Sequence, residues 1–381
     1  MSSANHFMEI LDRSNVYDVL FDHSSPATMY RVGWTCWMAR RAVQDYSRRT
    51  FNINRHLRRF FDDPIGFRSL QAQTGTLISG AFAHRFLDRT LCDKSRLELY
   101  TYPQHAAEVG RWVMRNGGKG YRFKALRGQN RDFDVCVTES LDWGSDSDGD
   151  DDWDVNLEGI RNLLTFVADE DVSPLTVRII VSPFSPLMIL LHQWHSTAFM
   201  NVITFSAAYS SHPFATFEER KSLAIGYSEE HWMIDRRIGY DVIDSALALE
   251  RRPSKSFILR DRWADDELSW VLPFDMSGVS WPKLSPKISQ LSFDPFSVNG
   301  WGLVRFEHSE VRHNTYLSID QEIFKFQYCC TESFYEDVKD TILAVVESER
   351  AERSNDRDWS WYDEVLYYHK RRKIVNLQVK N

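Results

Sequence analysis

The strongest constraint on this chain is a short unit in its first third. T-G-T-L-I-S-G-A-F-A-H-R-F begins at Thr74, and R-L-E-L-Y follows at 96–100. Residues 69–86 read as a helix or strand ending in a small glycine turn around Gly80, then a short helix over 82–87. The run 96–102 alternates like a half-buried strand. A turn between a strand and a helix lets backbone N–H groups converge on one point. Arg96 and Glu98, two apart on a strand, project from the same face. Further strands at 176–182 and 201–205, with a helix over 186–199 opening on Pro186, imply an α/β layer.

The rest of the chain is compatible with such a layer. Its 381 residues allow two or three domains, or one large α/β domain with appendages. The 24 Phe, 15 Tyr and 13 Trp exclude wholesale disorder. The formal charge of −8 argues against a globally basic nucleic-acid binder. Residues 139–154 hold eight acids and no Lys or Arg, so the whole excess can be assigned there. Such a block reads as a solvated loop. It is not a calcium loop: starting from Asp146, the sixth position is Asp151 rather than Gly. Five cysteines without C-x-x-C spacing point to reduced thiols, and Cys329 and Cys330 should face opposite sides of a strand. Residues 1–10 show no secretory signal and the apolar stretch 177–194 is broken by Arg178, Pro183 and Pro186, so an intracellular protein without a membrane span is expected.

Residues 1–30 carry little pattern. Residues 31–61 read as helical, with Trp37, Val43, Tyr46, Ile53, Leu57, Phe60 and Phe61 at three- and four-residue spacing. Eight arginines decorate this stretch, a solvated face or, more sharply, a phosphate- or RNA-contacting one. Pro64 should break the helix. A helix over 104–116 ends at Gly117-Gly118; 120–126 and 131–138 read as strands, 157–168 and 217–226 as helices. A hairpin is expected around Asp265-Asp266, then strands at 301–306, 315–319 and 324–330 and an amphipathic helix over 334–349. Residues 359–373 are aromatic and basic.

The strand, glycine turn, helix and second strand resemble the nucleotidyltransferase superfamily of the polymerase-β type. There a Gly-Ser turn holds a triphosphate, and Asp-x-Asp on the next strand holds two Mg²⁺ ions that clamp attacking and leaving oxygens. The runs F-N-I-N at 51–54, F-R-S-L-Q-A at 67–72 and H-S-T-A-F-M-N at 195–201 further resemble a lineage-expanded group of uncharacterised basidiomycete fungal proteins. The resemblance covers about residues 30–330 and implies a nucleotidyltransferase-like mixed sheet with flanking helices over 31–230, carrying the acidic loop; the pattern along the chain adds an irregular segment over 1–30 and a β-rich extension over 231–381 ending in a helix.

Laid on that pattern, the chain is degenerate. Gly80 matches, but Ala81 stands where Ser is expected. Arg96 replaces the first Asp and Glu98 the second. A fixed guanidinium beside a cation costs about 4 kcal/mol per unit charge at 4 Å in a surface-like dielectric. The strands at 176–182 and 201–205 offer Arg178 and Asn201 rather than a third acid. The phosphate-binding residues would be Ser79, Gly80, Ala81 and Arg96, with Arg85 or Arg89 nearby, binding a nucleotide or other anion without metal. Mg²⁺ enters only if catalysis survives, through Glu98 with Asp132 or Asp134, an Asp-x-Asp on a strand-like run. The expected protein is therefore a pseudoenzyme and scaffold. The alternatives are an atypical active transferase and an interaction module presenting the acidic loop to a protein partner.

His192 and His195 form a possible metal pair with His212 further on, but packed or capping histidines are the better default. Trp263, Trp270, Trp281, Trp301, Trp359 and Trp361 are read as core and interface anchors.

Overall fold

The computed structural model describes residues 9–90, 96–139, 160–168, 175–225, 229–251, 254–283, 290–305, 311–314, 316–352 and 361–379. Cys92, Asp93, Trp359 and the acidic block after Glu139 lie outside them.

The expected α/β class holds: a mixed sheet with flanking helices. The strands are β1 (Leu77–Ile78), β2 (Arg96–Thr101), β3 (Arg122–Lys124), β4 (Asn162–Val167), β5 (Thr176–Val181), β6 (Asn201–Ile203), β7 (Ala207–Ser210) and an edge strand, Trp270–Pro273. Their spatial order is edge strand, β7, β6, β1, β2, β5, β4, β3. β2 and β5 run parallel, and every other neighbouring pair is antiparallel.

The period of two splits each strand between two cores. Leu97, Leu99, Leu164, Phe166, Val177 and Ile179 enter the first, against the helices Gly80–Asp88 and Ala106–Asn116 and the N-terminal helices. Leu77, Tyr100, Leu163 and Ile180 enter the second, under the helix Pro186–Gln193. Val338, Ile342 and Val346 of the helix Glu332–Glu352 build a third core. Cys329 joins the second core and Cys330 the third, as strand alternation requires.

Several elements differ from expectation. Residues 162–167 form β4 rather than a helix. N-L-L-T-F-V packs on both faces, and a short apolar run carries no period to separate the two states. Residues 133–139 are helical rather than extended, because Asp132 Oδ1 accepts the backbone N–H of Val135 and caps the turn. The first thirty residues carry the helix Ser14–Asp22 and most of Pro26–Gly33, the latter capped by Ser25. Residues 31–61 break into pieces, chiefly Trp37–Thr50 and Ile53–Leu57. Pro64 starts a helix, Pro64–Thr74, at the position where its missing N–H costs nothing, with Asp63 as cap.

Residues 214–218 form a single π-helical turn, and Lys221–Leu223 pairs in parallel with Asp241–Ile243. The hairpin around Asp265-Asp266 does not form. Asp261–Trp263 pairs with Gly300–Arg305 in a second sheet, while Trp270–Pro273 pairs with β7. The main sheet thus takes its edge strand from beyond residue 230. Two helices close the chain rather than one, Glu332–Glu352 and Asp363–Val379. Among the described residues, no helix is long and apolar enough to cross a membrane.

Candidate functional site

The glycine turn is built by two left-handed residues. Gly75, at φ 65°, ends the helix Pro64–Thr74; a Cβ there would press on the rings of Tyr102 and Phe326 at 2.8 and 2.9 Å. After β1, Ser79 is extended and buried, and its Oγ donates to Asn201 O at 2.7 Å. Gly80, at φ 70°, then opens the helix Gly80–Asp88. The Glu98 carboxylate lies against Gly80 so closely that an added Cβ would collide with Oε2. Ala81 is exposed beside it.

β2 therefore delivers Glu98 to the turn, and Arg96 follows it on the same face. Arg96 Nε lies 3.2 Å from Glu98 Oε1, with about half of the arginine side chain exposed. Three of the expected residues thus converge: Gly80, Arg96 and Glu98. Sequence reasoning missed a fourth. In the parallel β2–β5 ladder Glu98 stands opposite Arg178, which stands opposite Thr165 on β4, which stands opposite Lys124 on β3. Directly paired residues share a face, so a polar row crosses the sheet. Arg178 Nε and Thr165 Oγ1 are buried without a hydrogen-bond partner among the described residues. Burial first, and the Arg96 charge second, push the Arg178 guanidinium below its ordinary pKa, while Glu98 opposes this.

The other expected carboxylates do not join. Asp132 caps the helix Phe133–Glu139, and Asp134 pairs with Arg111 at 2.8 Å. Phe133 and Cys136 of that helix pack into the first core, as do Val109 and Val113 of Arg111's helix. Strand alternation puts Glu98 and Arg178 on the other face of the sheet. Asp132 and Asp134 are thus on a helix, not on a strand sharing Glu98's face. Arg89 is committed elsewhere, donating to the carbonyls of Phe21 and Ser24.

The residues present do not fit a pair of Mg²⁺ ions. Among the described residues, the one carboxylate at the turn, Glu98, is engaged by Arg96 and stands opposite a second guanidinium. No group of three His, Cys, Asp or Glu side chains suited to a metal occurs among the described residues. His192 bonds to the Tyr316 hydroxyl and His195 to the buried Asp235 at 3.1 Å, so the two histidines part company. Asp235 also accepts from Ser222 Oγ at 2.9 Å. Trp301 is core, as expected for the tryptophans.

No protein-family model, curated protein or solved structure matches the chain. The functional reading accordingly rests on the chemistry of the turn.

Proposed function

We propose that the chain is a catalytically degenerate nucleotidyltransferase-like scaffold that binds a phosphate-bearing anion, such as a nucleotide, at the Ser79–Gly80–Ala81 turn without a divalent metal. The observation that carries this reading is the Glu98 carboxylate resting on Gly80 between Arg96 and Arg178. An internal anion stands where the family resemblance would put phosphate oxygens. Two guanidiniums and a helix N-terminus outnumber it, leaving the turn net positive. The Arg178 guanidinium adds positive charge beside Glu98, and Arg96 can swing from Glu98 to meet an incoming phosphate because it is half exposed.

The active-transferase alternative needs a second carboxylate near Glu98, and the placement of Asp132 and Asp134 supports it poorly. The scaffold reading predicts that inorganic tripolyphosphate binds the full chain in EDTA. Isothermal titration should give the same affinity when Mg²⁺ is in excess. Charge-assisted hydrogen bonds contribute about 1.5–3 kcal/mol, so Arg178→Met should weaken binding by roughly 10- to 100-fold. Binding that appears only with Mg²⁺, or an R178M variant as tight as wild type, would remove the basis for this reading.

A further inference from the structure

The helix Trp37–Thr50 turns Trp37 outward and buries the opposite face. Ala39, Ala42, Val43 and Tyr46 enter the first core. Trp37 is 68 % exposed, and Trp34, in the turn just before the helix, is 81 % exposed. At 100° per residue, Trp37, Arg40, Arg41, Gln44 and Arg48 fall on a single stripe, and all five are exposed. The stripe is about 16 Å long at about 1.5 Å per residue.

Arg40, Arg41 and Arg48 on this stripe, and Arg31 on the preceding helix, make no ion pair among the described residues, although Arg48 lies close enough to Asp45 to act on its charge. The adjoining acids are already engaged: Asp45 takes the Tyr17 hydroxyl and Arg49, and Asp18 takes Arg49 in a two-point pair. A cleft of about 400 Å³ runs alongside, walled by Tyr30, Trp34, Arg40 and Gln44.

We infer that this face binds single-stranded nucleic acid, with bases stacked on Trp34 and Trp37 and phosphates on the arginines. Large exposed aromatic rings interleaved with unpaired cations suit unstacked bases, because every base has a ring face and every linkage carries one negative charge. A duplex offers the same charge but hides its ring faces. Gln44, between Arg40 and Arg48, has donors and an acceptor for a base edge. The face lies on a different helix from the glycine turn, so the two sites are separable.

The test is a fluorescence-anisotropy titration of the full chain with labelled twelve-nucleotide oligo-uridine, at several salt concentrations. Affinity should fall with salt at a log–log slope of roughly −2 to −3, for three or four phosphates at about −0.7 each. Trp37→Ala should weaken binding by roughly 5- to 100-fold, the worth of a stacked base. Arg40→Gln with Arg41→Gln should flatten the salt slope. Trp37→Ala should leave tripolyphosphate binding unchanged, which keeps this site distinct from the proposed phosphate turn. Equal affinity for a duplex of the same length, no effect of Trp37→Ala, or binding only to phosphatidylserine vesicles would each overturn the inference.

Discussion

Asp266→Asn should lower the unfolding free energy by about 3–5 kcal/mol, the usual cost of leaving half of a buried ion pair alone. Arg262 is 1 % exposed and grips Asp266 at two points, Nε to Oδ2 at 2.5 Å and Nη2 to Oδ1 at 2.9 Å. Its Nη2 also donates to Ser211 O at 2.7 Å, just past β7. Asp266 accepts in addition from Leu268 N at 3.0 Å and Ser269 Oγ at 3.0 Å. The pair therefore pins the bend where the chain leaves the second sheet and enters the edge of the first. Asparagine keeps the shape of the carboxylate and loses the charge, so the guanidinium is left buried and uncompensated.

The same pair has a signature in pH. Burial alone would raise the Asp266 carboxyl, but the hydrogen bonds and charge of Arg262 outweigh it and hold the group below its ordinary range. A depressed folded pKa contributes stability above the unfolded value near 4 and loses it as pH falls through the folded value. Wild type should thus lose this contribution below about pH 4, and D266N, already without it, should show a shallower decline there. Urea unfolding followed by circular dichroism at pH 3 and pH 7 measures both effects. Equal stability of the two proteins at pH 7 would show that the pair is not holding the bend.

Asp363→Ala should be comparably damaging at the other end of the chain. Asp363 is fully buried at the first turn of the helix Asp363–Val379. It accepts from Lys325 N at 2.9 Å, Phe326 N at 3.3 Å and the Tyr328 hydroxyl at 2.6 Å. Alanine orphans three donors inside the third core, at about 1–3 kcal/mol each. A loss on the order of 4 kcal/mol is expected. The sign of its pH dependence is opposite to that of Asp266. Burial raises the Asp363 carboxyl in spite of its hydrogen bonds. A raised folded pKa gives stability that is full below the unfolded value and lost as pH rises through the folded one. Asp363→Asn removes the charge and keeps one acceptor, so it should cost less than D363A at pH 7. The same urea titrations decide this; D363A and wild type unfolding together would contradict it.

Much of the frame was legible in the residues. β2 alternates over its first four residues, β5 reads as a buried strand, and the helices at 106–116 and 332–352 carry an apolar stripe with polar flanks. Misreadings fell where local signal is degenerate. The run at 162–167 is buried on both faces, so its mostly apolar residues show no clear period. Trp37 was grouped with Val43 and Tyr46 by spacing, yet it is exposed while Ala39 and Ala42 are buried on that helix. The candidate site follows the same division. Gly80, Arg96 and Glu98 belong to one local unit, and their convergence follows from strand and turn geometry. Arg178 lies about eighty residues further on and reaches Glu98 only through the register of β2 on β5. Register depends on which strands become neighbours, and no local pattern around Arg178 records it. The pairing of Trp270–Pro273 with β7 was hidden for the same reason.

The proposed metal-free phosphate site has a direct test in the charge of Glu98. Tripolyphosphate affinity should be measured by calorimetry in EDTA for wild type and Glu98→Gln. A built-in competitor that is neutralised should let the ligand bind more tightly, by roughly tenfold if about 1.4 kcal/mol of repulsion is relieved. An E98Q variant that binds more weakly than wild type, with affinity restored in neither protein until Mg²⁺ is added, would make Glu98 a metal ligand and contradict the account.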